Sequence, residues 1–275
     1  MPFFAKVLAL FQTEIEIPKM YGGLHLAFVA LIIAATVLLC VFFRDAKDKT
    51  YRRIVLISWI LIAVLEVYRQ ITYTYSFDGT AFVADYRWYA FPYQLCSTPL
   101  YVMPFAALLK DGKLRDAMMV YLATFSFFGG LAVILYPGDI LTFYLGISIQ
   151  SLIHHGVQVV IGIYTAAYLR RRYNFKLLLH AFPVFAVLVA IALAMNIGVY
   201  HAFTAAGIGD TFNMFFVSPY FDCTLPVLSM IYPLVPYGVF LCIYIFGFCF
   251  VSYLMFLIQK GVTKLAGGIR AKIKG

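Results

Sequence analysis

The sequence predicts an all-α polytopic membrane bundle of seven transmembrane helices, with its N-terminus outside and its C-terminus in the cytoplasm. Composition is the first reason: 64% of the 275 residues are apolar, 12% are charged and the mean hydropathy is +0.91. A soluble domain is nearer half apolar and a quarter charged, and this chain cannot furnish a polar shell. Apolar runs are the second reason, since a hydrocarbon core about 30 Å thick takes roughly 20 residues of helix and the chain has seven such runs. Third, the 21 Lys and Arg against 12 Asp and Glu gather in short clusters between the runs. A net charge of +9 laid out in this way marks topology rather than a nucleic-acid partner. These features exclude a soluble enzyme, a disordered chain and a secreted disulfide scaffold.

The chain divides into an N-terminal interfacial segment (1–21), a seven-helix membrane domain (22–258) and a basic cytoplasmic tail (259–275). Phe3, Phe4, Val7, Leu8 and Phe11 share one helical face in the first segment, and no small-residue cleavage site follows, so it reads as an amphipathic helix rather than a signal peptide. The spans are expected at about 22–43, 54–76, 90–109, 115–136, 142–168, 177–199 and 233–258. They are continuous rather than alternating, so helices satisfy their backbone within the bilayer.

Basic residues fix the orientation. Arg44, Lys47, Lys49, Arg52 and Arg53 follow the first span, Lys110, Lys113 and Arg115 the third, and Arg170, Arg171, Arg172 and Lys176 the fifth. With Lys260, Lys264, Arg270, Lys272 and Lys274 in the tail, 17 of the 21 lie on one side, leaving Lys6, Lys19 and Arg87 on the other and Arg69 within the second span. The outer loop at 200–226 is apolar enough to lie in the interface or to fold back over the bundle. Ala186, Ala190 and Ala194 form a small-residue stripe suited to close packing of the sixth span. The five cysteines make neither a metal spacing nor a disulfide framework, and no cofactor motif is present.

Ionisable groups inside spans cost a few kcal/mol each on insertion scales, so each one requires a partner or a role. Glu66, Arg69, Gln70 and Tyr73 share a face of the second span, with Glu66 about 18 Å from its cytoplasmic end. They form either a self-neutralising Glu66–Arg69 pair or the wall of a polar pocket. Ser148, Ser151, His155, Gln158 and Gly162 make a polar stripe on the fifth span. His154 points about 100° away from His155 and has Gln150 or Gln158 as partners; His155 is the preferred site residue because its stripe is longer. In the third span, Phe91–Pro99 is polar and carries two prolines, so the helix should kink or open just past Cys96, about 9 Å from its outer end. Cys96 reads as apolar filler or as a nucleophile. Asn196 and Asn213 flank the sixth span's outer loop as caps or as binding groups.

Several short segments together resemble the YwaF-type integral membrane family. They are Pro92-x-x-Leu95-Cys96, Gly129-Gly130 with Pro137, His155-Gly156, Asn196, and Asn213-Met214-Phe215 with Pro219. These are bacterial seven-helix proteins with animal relatives proposed to transfer fatty acyl chains between phospholipids. The resemblance implies that Cys96 accepts an acyl group and that His155, with His154 second, is its base. It also implies that a membrane phospholipid or lysophospholipid is the partner. Gln94, Ser97 or Gln158 would serve the oxyanion. Glu66, Arg69, Gln94, Ser151, Gln158, Asn196 and Asn213 are the expected substrate-binding groups. The competing reading is a transporter or lipid-binding protein using the same pocket. A seven-helix receptor lacks its Asn-Pro-x-x-Tyr run here, and a retinal protein its lysine within 233–258. The plain positive-inside pattern favours a bacterial plasma membrane.

Overall fold

A computed structural model describes residues 2–274, and the side chains of all of these except Arg171 and residues 263–274. The expected roles of Arg171, Lys264, Arg270, Lys272 and Lys274 therefore lie outside the described side chains. The helices are α1 (Phe3–Phe11), α2 (Gly23–Phe42), α3 (Asp48–Thr74), α4 (Pro99–Leu108), α5 (Lys113–Leu135), α6 (Leu145–Leu169), α7 (Ala181–Ala206) and α8 (Tyr237–Lys274). Among the described residues, six helices are long and apolar enough to cross a membrane. The third predicted run, 90–109, instead holds a 3-10 turn at Leu95–Ser97 followed by the short α4, because its prolines break the helical hydrogen-bond ladder. A second departure from the all-helical expectation is a small hairpin, β1 (Tyr75–Phe77) and β2 (Phe82–Ala84), following the C-terminal end of α3.

The core is organised around α6, the most polar of the long helices. It packs against α2, α3 and α5 and buries residues on every side. A helix whose polar stripe would be costly against lipid is thereby wrapped by apolar ones. Glycines set the distances. Gly156 faces Ile32 of α2, Gly162 faces Leu122 and Phe127 of α5, and Gly130 of α5 lies against the Gln158 side chain and the His155 carbonyl. Within α5 a π-helical turn at Leu122–Ser126 separates Tyr121, which reaches α4, from the Gly129–Gly130 pair, which meets α6. A wider turn of this kind shifts the helical register between the two contacts.

The basic clusters predicted after the first, third and fifth spans converge on one end. There Arg115, 4% exposed, reaches Asp48 at 2.6 Å, pairs with Asp111 and donates to the Ala106 carbonyl. Arg52 pairs with Asp48 and donates to the Ala107 and Leu109 carbonyls at 2.8 and 2.5 Å, capping α4. Tyr168 donates to Asp48, Arg172 meets both oxygens of Asp116 at 2.6 Å, and Arg170 pairs with Asp45. Along α7, Ala186, Ala190 and Ala194 face away from the bundle, while Phe185, Leu188, Ala192 and Asn196 face in. The alanine stripe is therefore not a packing seam within this chain; larger side chains fill that contact.

A Cβ at residue 130 would lie 2.6 Å from both Gln158 Cβ and the His155 carbonyl oxygen, neither of them the end of a flexible side chain. Gly130→Ala should therefore destabilise the bundle by about 1–3 kcal/mol. Gly198→Ala, with nothing within 4 Å, should leave stability unchanged or slightly raised. Thermal unfolding of the purified protein checks both.

Candidate functional site

Irregular backbone at membrane depth persists only where protein groups satisfy it. Pro92 and Pro99 keep residues 91–98 out of an α-helix, and α4 begins at Pro99, where the absent N–H is harmless. Side chains from several helices take up the carbonyls of this stretch. Gln70 donates to Ala90 at 2.9 Å and Tyr101 to Pro92 at 2.8 Å. Thr98 donates to Leu95 at 2.6 Å, and the Trp59 indole to Leu100 at 2.8 Å. Tyr121 in turn donates to the Thr98 hydroxyl.

The Cys96 carbonyl receives two donors, both from α6: His154 Nε2 at 2.9 Å and Gln158 Nε2 at 2.9 Å. So it is His154, not the preferred His155, that reaches the Cys96 turn. His155 turns its Nδ1 to the Ser151 carbonyl at 2.7 Å, one turn back on its own helix. A carbonyl only accepts, so His154 is protonated at Nε2 and His155 at Nδ1. The opposite nitrogens, His154 Nδ1 and His155 Nε2, are buried and find no partner among the described residues, and neither does Gln158 Oε1. The two rings stand edge to face with centroids 5.5 Å apart. Gln158 Oε1 and the Cys96 backbone both border Gly129, which lets α5 approach this spot. These atoms offer lone pairs, a complement to a group bringing an O–H or S–H. The Ser151 hydroxyl is occupied by Gln150.

Glu66 is 7% exposed and binds Arg69 at 2.9 Å and Gln70 at 2.6 Å, so the self-neutralising pair is present. The pair is also the nearest charge to the site, within electrostatic range of Cys96 and His154. Glu66 and Gln70 line an open groove of about 330 Å³ between α3 and α4, otherwise walled by Trp59, Ala63, Leu100 and Tyr101.

Gln94, Asn196 and Asn213 serve a second irregular segment. The loop after α7 turns in as a 3-10 turn, Met214–Phe216, with positive φ at Phe215 and Phe216. Asn196 donates to the Met214 carbonyl and accepts its N–H, at 2.9 and 2.7 Å. Gln94 does the same for the Asn213 carbonyl and the Phe215 N–H, at 3.0 and 2.7 Å. Asn213 accepts the Ser218 N–H, while Tyr244 and Tyr237 donate to the Phe215 and Val217 carbonyls. The loop's fold-back was legible in its apolar content. The three amides are engaged on backbone, at a distance in sequence that spacing does not reveal. Cys223 of this loop is 3% exposed, and burial pushes its thiol pKa up.

The model of the TMEM164 family matches residues 20–258, nearly all of the helical bundle. The chain belongs to the TMEM164 family. That makes it a multi-pass membrane protein, in keeping with its six long apolar helices. Searches of curated proteins and of solved structures return no match. The family match spans both irregular segments, including Cys96, His154, Gln158 and Asn196 of this TMEM164-family chain.

Asn196→Ala would orphan the N–H and the carbonyl of Met214 in an apolar surround, at a cost of about 1–3 kcal/mol for each group. Faster proteolysis within residues 207–227 and a lowered melting temperature are expected. Asn196→Asp should not restore either, since it lacks the donor.

Proposed function

We propose that this membrane protein is a lipid acyltransferase that works through an acyl-cysteine at Cys96. The observation that carries this reading is the Cys96 turn itself. It is bonded to one buried imidazole and neighboured by a second, each with an unpartnered nitrogen. A thiol of ordinary pKa, about 8.5, is weakly ionised at neutral pH and needs a base. His154 Nδ1 is the base of this reading, and His155 Nε2 stands next to it. The Cys96 sulfur attacks an ester carbonyl of a phospholipid, and its proton passes to the imidazole. The ester C–O bond then breaks, and the lysolipid leaves as an alcohol carrying that proton. A lysolipid hydroxyl reverses the sequence: its oxygen attacks the thioester, its proton goes to the imidazole, and the thiol reforms. Gln158 has both amide N–H bonds engaged and Gln94 is held by the outer loop, so Ser97, beside Cys96, is the oxyanion donor of this reading.

The reading includes seven crossings of a cell membrane, with the N-terminus outside and the C-terminus in the cytoplasm. Residues 91–98 and α4 together supply the third crossing. In support, the convergent Arg52, Arg115 and Arg172 end is the basic one, and the polar site lies toward the other. A second reading, a lipid-binding or transport protein without covalent chemistry, is favoured by one observation. The α3–α4 groove carries Glu66 at its wall and opens sideways.

The test is an adduct trap. Protein in lipid is given phospholipid with a tagged acyl chain and probed for label released by neutral hydroxylamine. Label should disappear in Cys96→Ala and form about 100-fold more slowly in His154→Ala. His155→Ala should fall between His154→Ala and wild type, and Cys40→Ala should match wild type. Labelling indifferent to Cys96, or none with any lipid, would leave the binding or transport reading.

A further inference from the structure

Arg87 stands apart from the topology pattern, one of three basic residues expected on the outer side. It lies on the exposed segment after β2, and among the described residues it has no ion pair with a carboxylate. Its guanidinium carbon is 5.4 Å from the centroid of the Tyr73 ring, and that of Arg69 is 5.7 Å from the same centroid. Arg69 spends one N–H on Glu66 and Arg87 one on the Tyr89 hydroxyl, leaving most of ten donors for a ligand. Tyr89 and Tyr144 lie within electrostatic range of Tyr73 and Arg87. Two exposed acidic residues border this end, Asp85, whose N–H donates to the Thr74 carbonyl at 2.8 Å, and Glu14, whose backbone pairs with Tyr144; neither forms an ion pair with Arg69 or Arg87 among the described residues. Tyrosines gathered at a helix end mark the headgroup level of a bilayer, where the abundant anion is phosphate.

We infer that Arg69 and Arg87, both set against Tyr73, form a phosphate clamp that holds the headgroup of a phospholipid at the outer mouth of the site. The planar guanidinium fork matches phosphate oxygens bidentately in a way that lysine's point charge does not. Tyr73 lies two turns outward of Glu66 on α3, a rise of about 10 Å. A phosphate at Tyr73 therefore sets the glycerol and its esters one to two turns deeper, at the level of Gln70 and Glu66, from which the charges reach Cys96. The α3–α4 groove lies beside this path and offers its apolar wall to one acyl chain. The inference deepens the acyltransferase reading by naming what positions the ester. Phosphate binding itself does not require Cys96.

The titration uses full-length protein in a Cys96→Ala background, so that no turnover interferes. Dihexanoylphosphatidylcholine, dioctanoylglycerol and inorganic phosphate are the three probes, read by thermal shift. Arg87→Gln should weaken the phosphatidylcholine response roughly tenfold and leave dioctanoylglycerol unchanged. Arg87→Lys should recover only part of the loss. Equal phosphatidylcholine affinity with and without Arg87, or an equal loss for dioctanoylglycerol, overturns the clamp. An Arg87-dependent response to inorganic phosphate alone, with none to the lipid, overturns the headgroup assignment and leaves a soluble-phosphate site. Because Cys96 is absent throughout, failure here leaves the adduct trap untouched, and failure of the trap does not move these affinities.

Discussion

A peptide carbonyl inside a bilayer must find a donor, because bulk water is not there to supply one. In this chain the carbonyl most fully answered by side chains is that of Cys96, where Pro92 and Pro99 keep residues 91–98 out of an α-helix. The carbonyl released by that break is met by His154 and Gln158. To bring those two side chains to it, α6 must sit at the centre of the bundle, and α5 must come close enough that only glycine fits at 130. Central α6, the glycine contacts and the polar stripe are thus consequences of one unsatisfied group.

The same logic explains the loop after α7. Met214, Phe215 and Val217 leave regular geometry near the bundle and are answered by Asn196, Gln94, Tyr244 and Tyr237. Gln94 belongs to the first break and serves the second, so the two irregular segments are tied to each other. Broken backbone that lines a polar site rather than lipid is the usual setting for substrate groups within membranes. What distinguishes this one is the surplus left after the backbone is satisfied. Two imidazole nitrogens and one amide oxygen remain with lone pairs and no donor among the described residues.

Much of this was legible in the residues. Runs of about 20 apolar residues located the long helices, and the basic clusters located the end where Asp48, Arg52, Asp111 and Arg115 now interlock. The break at Cys96 followed from Pro99. Which histidine meets it did not. His154 and His155 differ by about 100° on the helix, and the choice rested on the length of a polar stripe. Tertiary packing decided otherwise: Gly130 and Gly156 clamp the His155 side of α6 against neighbours, and His154 is left facing the Cys96 turn. Alanine spacing also misled at 186, 190 and 194, since small residues every four positions suit a seam without requiring one. Arg87 gave no sequence signal beyond its place among Tyr86, Trp88 and Tyr89; its relation to Arg69 needs the hairpin that folds it back over α3.

The account rests on two neutral imidazoles of opposite tautomer, each holding an N–H on a carbonyl and a free nitrogen toward the site. Nitrogen NMR of ring-labelled histidine, assigned by replacing the five histidines one at a time, reads this directly. At neutral pH, His154 should report a proton on Nε2 and His155 a proton on Nδ1, with the other nitrogen of each unprotonated. Either ring found as the doubly protonated cation, or His154 protonated on Nδ1 instead, would contradict the arrangement at Cys96 and remove the base on which the proposed chemistry depends.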